Sequence, residues 1–203
     1  MLQTGHKAPA FTLPSTSGAS ISLASLKGRK VVLYFYPRDN TPGCTVEACD
    51  FRDQHSALQQ AGAVVLGVSA DSLKSHDGFR AKYQLPFDLL VDEGSKVASS
   101  YGAFGEKLMY GRKVQGTIRS TFLIDEQGKL AAVWSPVKVQ GHVEAVLAAL
   151  TGNAAPAAQQ PAGKATATKK IAAKNVTARK VAASKTPAKP AAKKPSAPKS
   201  KKA

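Results

Sequence analysis

The chain has 203 residues, with 29 Lys+Arg against 13 Asp+Glu and a formal net charge of +16. Its length allows one or two domains. No apolar run approaches the roughly 18 residues needed to cross a membrane, and residues 1–10 lack the basic start and apolar core of a secretory signal, so a cytoplasmic protein with no membrane partner is expected.

The elements follow from apolar spacing. Phe11–Leu13 and Ile21–Leu23 flank Ser17-Gly18 and predict an N-terminal hairpin. Leu26–Lys30 predicts a short turn at Gly28, and Val31–Tyr36 is a strongly apolar run that predicts a buried strand. Phe51, His55, Leu58 and Ala61 recur at spacings of three and four, so a helix is expected from Pro42 to near Gly62. Ala63–Ser69 is apolar on both faces, as a buried parallel strand would be. A helical stripe through Leu73, His76, Phe79 and Tyr83 is stopped by Pro86. Phe87–Val91 predicts a short strand and Ser95–Tyr101 a short helix. Gly102–Gly116 is polar and glycine-rich and predicts a surface loop. Thr117–Ile124 and Leu130–Trp134 predict strands joined by the turn Asp125-Glu126-Gln127-Gly128, and Gln140–Leu150 predicts a closing helix with Val143, Val146, Leu147 and Leu150 on one face. Strand and helix alternate before an antiparallel hairpin, which indicates an α/β fold with a mixed sheet.

Composition divides the chain into a globular domain, 1–153, and a tail, 154–203. Thirteen Lys+Arg and no acid lie in the tail; 29 minus 13 leaves 16 basic residues against 13 acidic before it, near +3. The tail is mostly Ala, Lys, Pro, Thr and Ser without an aromatic residue, so it cannot bury enough apolar surface to offset its ordering entropy and is expected to be disordered. Its composition resembles the Lys/Ala/Pro tails of linker histones, which implies non-specific DNA binding through residues 154–203 and association with the nucleoid. The competing reading is a solvated tether.

Both cysteines, Cys44 and Cys49, lie within Pro37–Cys49, between the apolar strand and the following helix. Thr41 fits an N-cap and Pro42 the first helical position, which puts Cys44 in the first turn. Free backbone N–H groups and the positive end of the helix dipole meet there. A free thiol has a pKa of about 8.5, and a helix N-terminus or a nearby cation lowers it. Position alone leaves two readings: a reactive thiolate or a small buried hydrophobe. Two close cysteines in a reducing compartment suggest redox chemistry or metal binding rather than a structural staple. The spacing is not Cys-x-x-Cys, and His6, His55, His76 and His142 are scattered, so no metal is expected.

The segment Pro37-x-x-x-Thr41-x-x-Cys44 matches the active-site motif of the peroxiredoxins. Its continuation Cys44-Thr-Val-Glu-Ala-Cys49, together with Arg119-Ser-Thr-Phe-Leu-Ile-Asp125 and Val137-Lys-Val-x-Gly-His142, resembles the Q-type (bacterioferritin-comigratory protein) branch over residues 3–151. The resemblance implies a thioredoxin-like fold and a thiol peroxidase acting on hydrogen peroxide and alkyl hydroperoxides without a cofactor. It implies that Cys44 attacks the O–O bond and becomes a sulfenic acid, that Thr41 holds the peroxide, that Pro37 shields the sulfur from water and that Arg119, on a later strand, supplies positive charge. Cys49 would close a Cys44–Cys49 disulfide, and thioredoxin or a similar dithiol protein would reduce it. Five residues along an α-helix separate Cα atoms by roughly 8–9 Å, against less than about 7 Å for a disulfide, so the first turns must unwind in each cycle. Glu47 has two readings, a charge at the helix start or a partner of Arg119. The protein is expected to be a monomer. The alternative function is a nucleoid-associated DNA-binding protein whose globular domain senses redox state rather than scavenging peroxide.

Overall fold

The computed structural model describes residues 2–109 and 112–152. The tail and its boundary at 153/154 lie outside the described residues.

The elements run β1 Thr12–Pro14, β2 Ser20–Ser22, a 3-10 turn Ala24–Leu26, β3 Lys30–Phe35, α1 Pro42–Asp53, α2 His55–Gln60, β4 Ala63–Ser69, α3 Leu73–Tyr83, β5 Asp88–Val91, α4 Lys96–Ser100, β6 Phe104–Met109, β7 Arg112–Thr117, β8 Ser120–Ile124, β9 Leu130–Trp134 and α5 His142–Leu150. Five strands form the central sheet in the order β5-β4-β3-β8-β9. β3 pairs parallel with β4, and β4 with β5, whereas β8 runs antiparallel to both β3 and β9. This is the α/β fold with a mixed sheet that the residue pattern indicated, and it is thioredoxin-like, as the family resemblance implied.

After Lys30, strand β3 is apolar and buried because both faces of the sheet are covered. Val32, Tyr34 and Tyr36 join one core cluster with Cys44, Ala48 and Phe51 of α1, Leu58 of α2, Phe79 of α3, and Val143, Val146 and Leu150 of α5. Val31, Leu33 and Phe35 join a second cluster with Phe11 and Leu13 of the N-terminal segment, Ala98 of α4 and Phe122 of β8. Helix α1 buries Cys44, Glu47, Ala48 and Phe51, whose spacings of three and four residues make one stripe. Phe51 anchors that stripe by stacking on Tyr34 of β3, with ring centroids 4.7 Å apart. Burial of the stripe therefore fixes Cys44 at the carboxyl end of β3, where open α/β sheets place their ligands.

Three expectations need correction. The helix from Pro42 is not continuous to Gly62: Gln54 (φ −97°, ψ 5°) separates α1 from α2. The hydrogen bonds Gln54 N–H to Asp50 C=O and Leu58 N–H to Gln54 C=O persist across it, so the apolar stripe keeps its spacing and does not reveal the kink. Residues 102–116 are not a plain loop; β6 and β7 make a two-stranded antiparallel ribbon. The two strands satisfy their backbones against each other and Glu106 pairs with Lys113 at 2.9 Å, so the polar, glycine-rich composition that reads as a loop does not reveal the pairing. Finally, the strand expected over Thr117–Ile124 begins at Ser120, because Thr117 belongs to the ribbon. Arg119 thus lies in the two-residue link between β7 and β8 rather than on a strand. Ile118 N–H donates to Ala103 C=O (2.7 Å), and the Arg119 carbonyl accepts from Val137 N–H (2.9 Å), which pins that link at both sides.

Candidate active site

Thr41 is the N-cap residue of α1 by its extended backbone (φ −90°, ψ 148°), and its carbonyl accepts the first helical bond from Thr45 N–H at 2.9 Å. Its side chain does not cap the helix. The hydroxyl donates instead to the Arg38 carbonyl at 3.0 Å. Pro42 opens α1, and Cys44 follows in the first turn, 2% exposed. Cys49 lies further along the same helix, half-buried; both cysteines are free. Pro37 is half-buried just beyond the end of β3.

Arg119 reaches this turn from the opposite side. Its Nη2 donates to Cys44 Sγ at 3.2 Å, and its Nη1 donates to Glu47 Oε2. A guanidinium in this position stabilises negative charge on the sulfur. Glu47 is 1% exposed, so the alternatives left open for it resolve: it is a buried partner of Arg119. Burial pushes its carboxyl up to about 7, and the contact with Arg119 limits the rise. Burial alone would lower the Arg119 proton affinity, but Glu47 and Cys44 outweigh it and hold the guanidinium above its ordinary value. Gly43 leaves room for the cation, since a Cβ there would lie 3.3 Å from Arg119 Nη2.

Behind the turn sits a polar cluster that apolar spacing could not reveal. Asp39 is buried, and its carboxylate accepts from Tyr36 Oη (2.8 Å) and Ser75 Oγ (2.7 Å) and pairs with His76 Nδ1 (2.9 Å). Burial works against its charge, but the hydrogen bonds from His76, Ser75 and Tyr36 prevail and hold the carboxyl below its ordinary value. His76 Nε2 faces the Leu90 carbonyl at 3.2 Å, so both ring nitrogens face acceptors. His142, at the start of α5, meets Thr121 Oγ1 at 2.8 Å; burial and the nearby Arg119 hold its imidazole down to about 4.

Among the described residues no group of three or more His, Cys, Asp or Glu side chains is arranged to hold a metal, and no helix is long and apolar enough to cross a membrane. A shallow groove runs between Pro42, Gly43, Val46 and Asp50 of α1 and the segment Val139–Gly141 with Glu144 of α5; Cys44 does not line it.

Residues 4–133 match the AhpC/TSA family. A putative peroxiredoxin bcp from Coxiella burnetii is 54% identical over 149 residues, covering 73% of this chain and 99% of that protein. The peroxiredoxin Bcp of Bacillus subtilis is 46% identical over 149 residues, covering 73% of this chain and 95% of the relative. Among solved structures, peroxiredoxin Q from Xanthomonas campestris superposes with a TM-score of 0.67 at 44% identity, covering 70% of this chain and 90% of that one.

The chain belongs to the peroxiredoxins, in the Bcp/PrxQ group. As a peroxiredoxin it is a thiol peroxidase, with a peroxide as substrate and a thiol as reductant. The fold brings Cys44, Thr41 and Arg119 of this peroxiredoxin to one turn of backbone, with Pro37 at its approach and Cys49 on the same helix. No sequence signal links Asp39, Ser75 and His76. Asp39 does lie inside Pro37–Cys49, but its partners on α3 come from a separate strand-helix unit, and no local spacing connects them.

Proposed function

We propose that Cys44 is the peroxidatic nucleophile of this peroxiredoxin, and that the Arg119 Nη2 to Cys44 Sγ contact of 3.2 Å is the observation that carries this reading. The thiolate attacks one oxygen of the hydroperoxide. The O–O bond breaks, the sulfur becomes a sulfenic acid and the other oxygen leaves as water or an alcohol after taking up a proton. Thr41 holds the peroxide, Pro37 limits access of water, and Arg119 supports the charge on the sulfur and on the leaving oxygen. Hydrogen peroxide and alkyl hydroperoxides are both substrates. In support, the bacterioferritin comigratory protein of Xanthomonas campestris, 41% identical to this chain, has alkyl peroxide reduction activity.

Cys49 then attacks the sulfenic sulfur, water leaves and a Cys44–Cys49 disulfide forms. Both residues lie within α1, which supports the view that this helix must open for the bond to close. Thioredoxin or a similar dithiol protein reduces the disulfide by exchange. The tail, residues 154–203, binds DNA through its thirteen cations and holds the peroxidase in the cytoplasm beside the nucleoid.

The test is peroxide consumption driven by thioredoxin and its reductase, on full-length protein and on residues 1–153. Sustained turnover by both forms supports the cycle. Turnover with a monothiol reductant but not with thioredoxin would overturn the recycling step.

A further inference from the structure

The Thr41 hydroxyl has one hydrogen, and it is committed to the Arg38 carbonyl. Toward the sulfur and any bound hydroperoxide the hydroxyl oxygen can therefore only accept. That carbonyl shares a peptide group with the Asp39 N–H, and in a trans peptide the two point in opposite directions. The Asp39 N–H donates to Asp71 Oδ2 at 2.9 Å. Asp71 is held in turn by Ser69 Oγ at 2.7 Å, at the carboxyl end of β4. By drawing the N–H toward β4, Asp71 aims the carbonyl at Thr41. The Asp39 side chain clamps the same peptide from its other flank, through Ser75 and His76 of α3 and Tyr36 at the end of β3. Between this peptide and Thr41 the chain makes a left-handed step at Asn40, φ 56°, which folds the hydroxyl back onto the Arg38 carbonyl.

We propose that Asp71 and Asp39 are positioning residues for the peroxide step: by fixing the 38–39 peptide they keep the Thr41 hydroxyl hydrogen turned away, so that only its lone pairs face the hydroperoxide O–H. The inference rests on the reading of Thr41 as the peroxide's partner. Neither carboxylate touches the reacting atoms. They act through one backbone carbonyl, and their loss lets the hydroxyl rotate and compete as a donor.

The experiment is a double-mutant cycle on the full chain, with Asp71→Ala, Thr41→Val and both together. The bimolecular rate of Cys44 oxidation by hydrogen peroxide is read from the fluorescence of the single tryptophan, Trp134, and by competition with a known peroxidase. The rate of Cys44 alkylation by iodoacetamide is read in parallel, since it needs the sulfur anion but no hydrogen bond from a peroxide.

Asp71→Ala should slow oxidation on the order of ten-fold, as expected for a small misplacement of a binding group. Alkylation should stay within about two-fold of wild type, and the double variant should be no slower than Thr41→Val alone. Asp71→Asn, which keeps a side-chain oxygen for the Asp39 N–H, should recover most of the loss. Ser75→Ala, which removes one donor from Asp39 with little change in shape, should show a weaker form of the same pattern. Multiplied losses in the double variant, or alkylation falling in step with oxidation, would overturn the inference while leaving the Thr41 reading intact. An unaffected Thr41→Val would overturn the Thr41 reading and the inference together.

Discussion

The α-carbon of Gly43 faces the Arg119 guanidinium so closely that a methyl group there would sit 3.3 Å from Nη2, the nitrogen that also holds the Cys44 sulfur. Gly43 has no positive φ and lies in the first turn of α1, where alanine is the better helix former. Gly43→Ala should therefore separate stability from activity. Unfolding free energy should stay within about 1 kcal/mol of wild type. The displaced guanidinium should slow Cys44 oxidation roughly ten-fold, equivalent to about 1.4 kcal/mol of transition-state stabilisation. Stopped-flow oxidation and urea unfolding on the same samples check both parts; a variant as fast as wild type would show that Arg119 need not lie where it does.

Glu47 gives a pH prediction with a definite sign. Burial pushes its carboxyl from an ordinary 4.5 to about 7, so the folded protein binds that proton more tightly than the unfolded chain. Between those two values the native state holds more protons, and stability falls as pH rises. Glu47→Gln cannot titrate. From about pH 4 to about pH 8 the variant should gain on wild type by about 3 kcal/mol, at about 1.4 kcal/mol per unit of displacement. His142, held down to about 4, shifts in the opposite direction but is common to both proteins and cancels. Urea unfolding of both at the two pH values measures the difference, and a difference independent of pH would contradict the burial argument.

Much of this was legible in the chain because the main elements carry their own periodicity. Val31–Tyr36 and Ala63–Ser69 read as buried strands and sit at the centre of the sheet. Cys44 read as a first-turn residue because Thr41 and Pro42 mark the helix start, and the structure agrees. Two kinds of feature were not legible. The β6–β7 ribbon is held by backbone pairing within a polar, glycine-rich segment, and the Gln54 kink leaves the apolar spacing intact. The Asp39 cluster joins β3, β4 and α3 through polar contacts that span 32 to 37 residues of sequence. Hydrogen bonds between distant segments leave no period in the sequence, and a resemblance built on Pro37, Thr41, Cys44 and Arg119 does not point to them.

Cys49→Ser should leave the first step intact and block the intramolecular bridge. One rapid turnover of peroxide, a sulfenic acid trapped at Cys44 and poor steady-state activity with thioredoxin are expected. Oxidised wild-type protein should lose helical signal as α1 opens. Matching circular dichroism and amide exchange in the two redox states would count against a Cys44–Cys49 disulfide.

The tail should bind DNA without sequence preference and independently of catalysis. It carries thirteen cations and no aromatic residue to stack on bases, a chemistry of phosphate contacts rather than base reading. If half the charges engage, log K should fall against log salt with a slope of about −6, and affinity should drop on the order of a thousand-fold between about 50 and 200 mM salt. Residues 1–153 alone should not bind and should keep their peroxidase turnover. Anisotropy titrations of both forms at two salt concentrations test this, and equal binding by both would leave the tail as a tether.

The central claim is that the sulfur beside Arg119 does the chemistry. Its most direct test is the rate of hydrogen peroxide consumption by Cys44→Ser under single-turnover conditions, with Cys49 intact. A serine hydroxyl at that position stays protonated and cannot form a sulfenic acid. The account predicts no burst of peroxide consumption and no oxidised species at residue 44 by mass spectrometry. A burst near the wild-type rate would contradict it and move the nucleophile elsewhere in the chain.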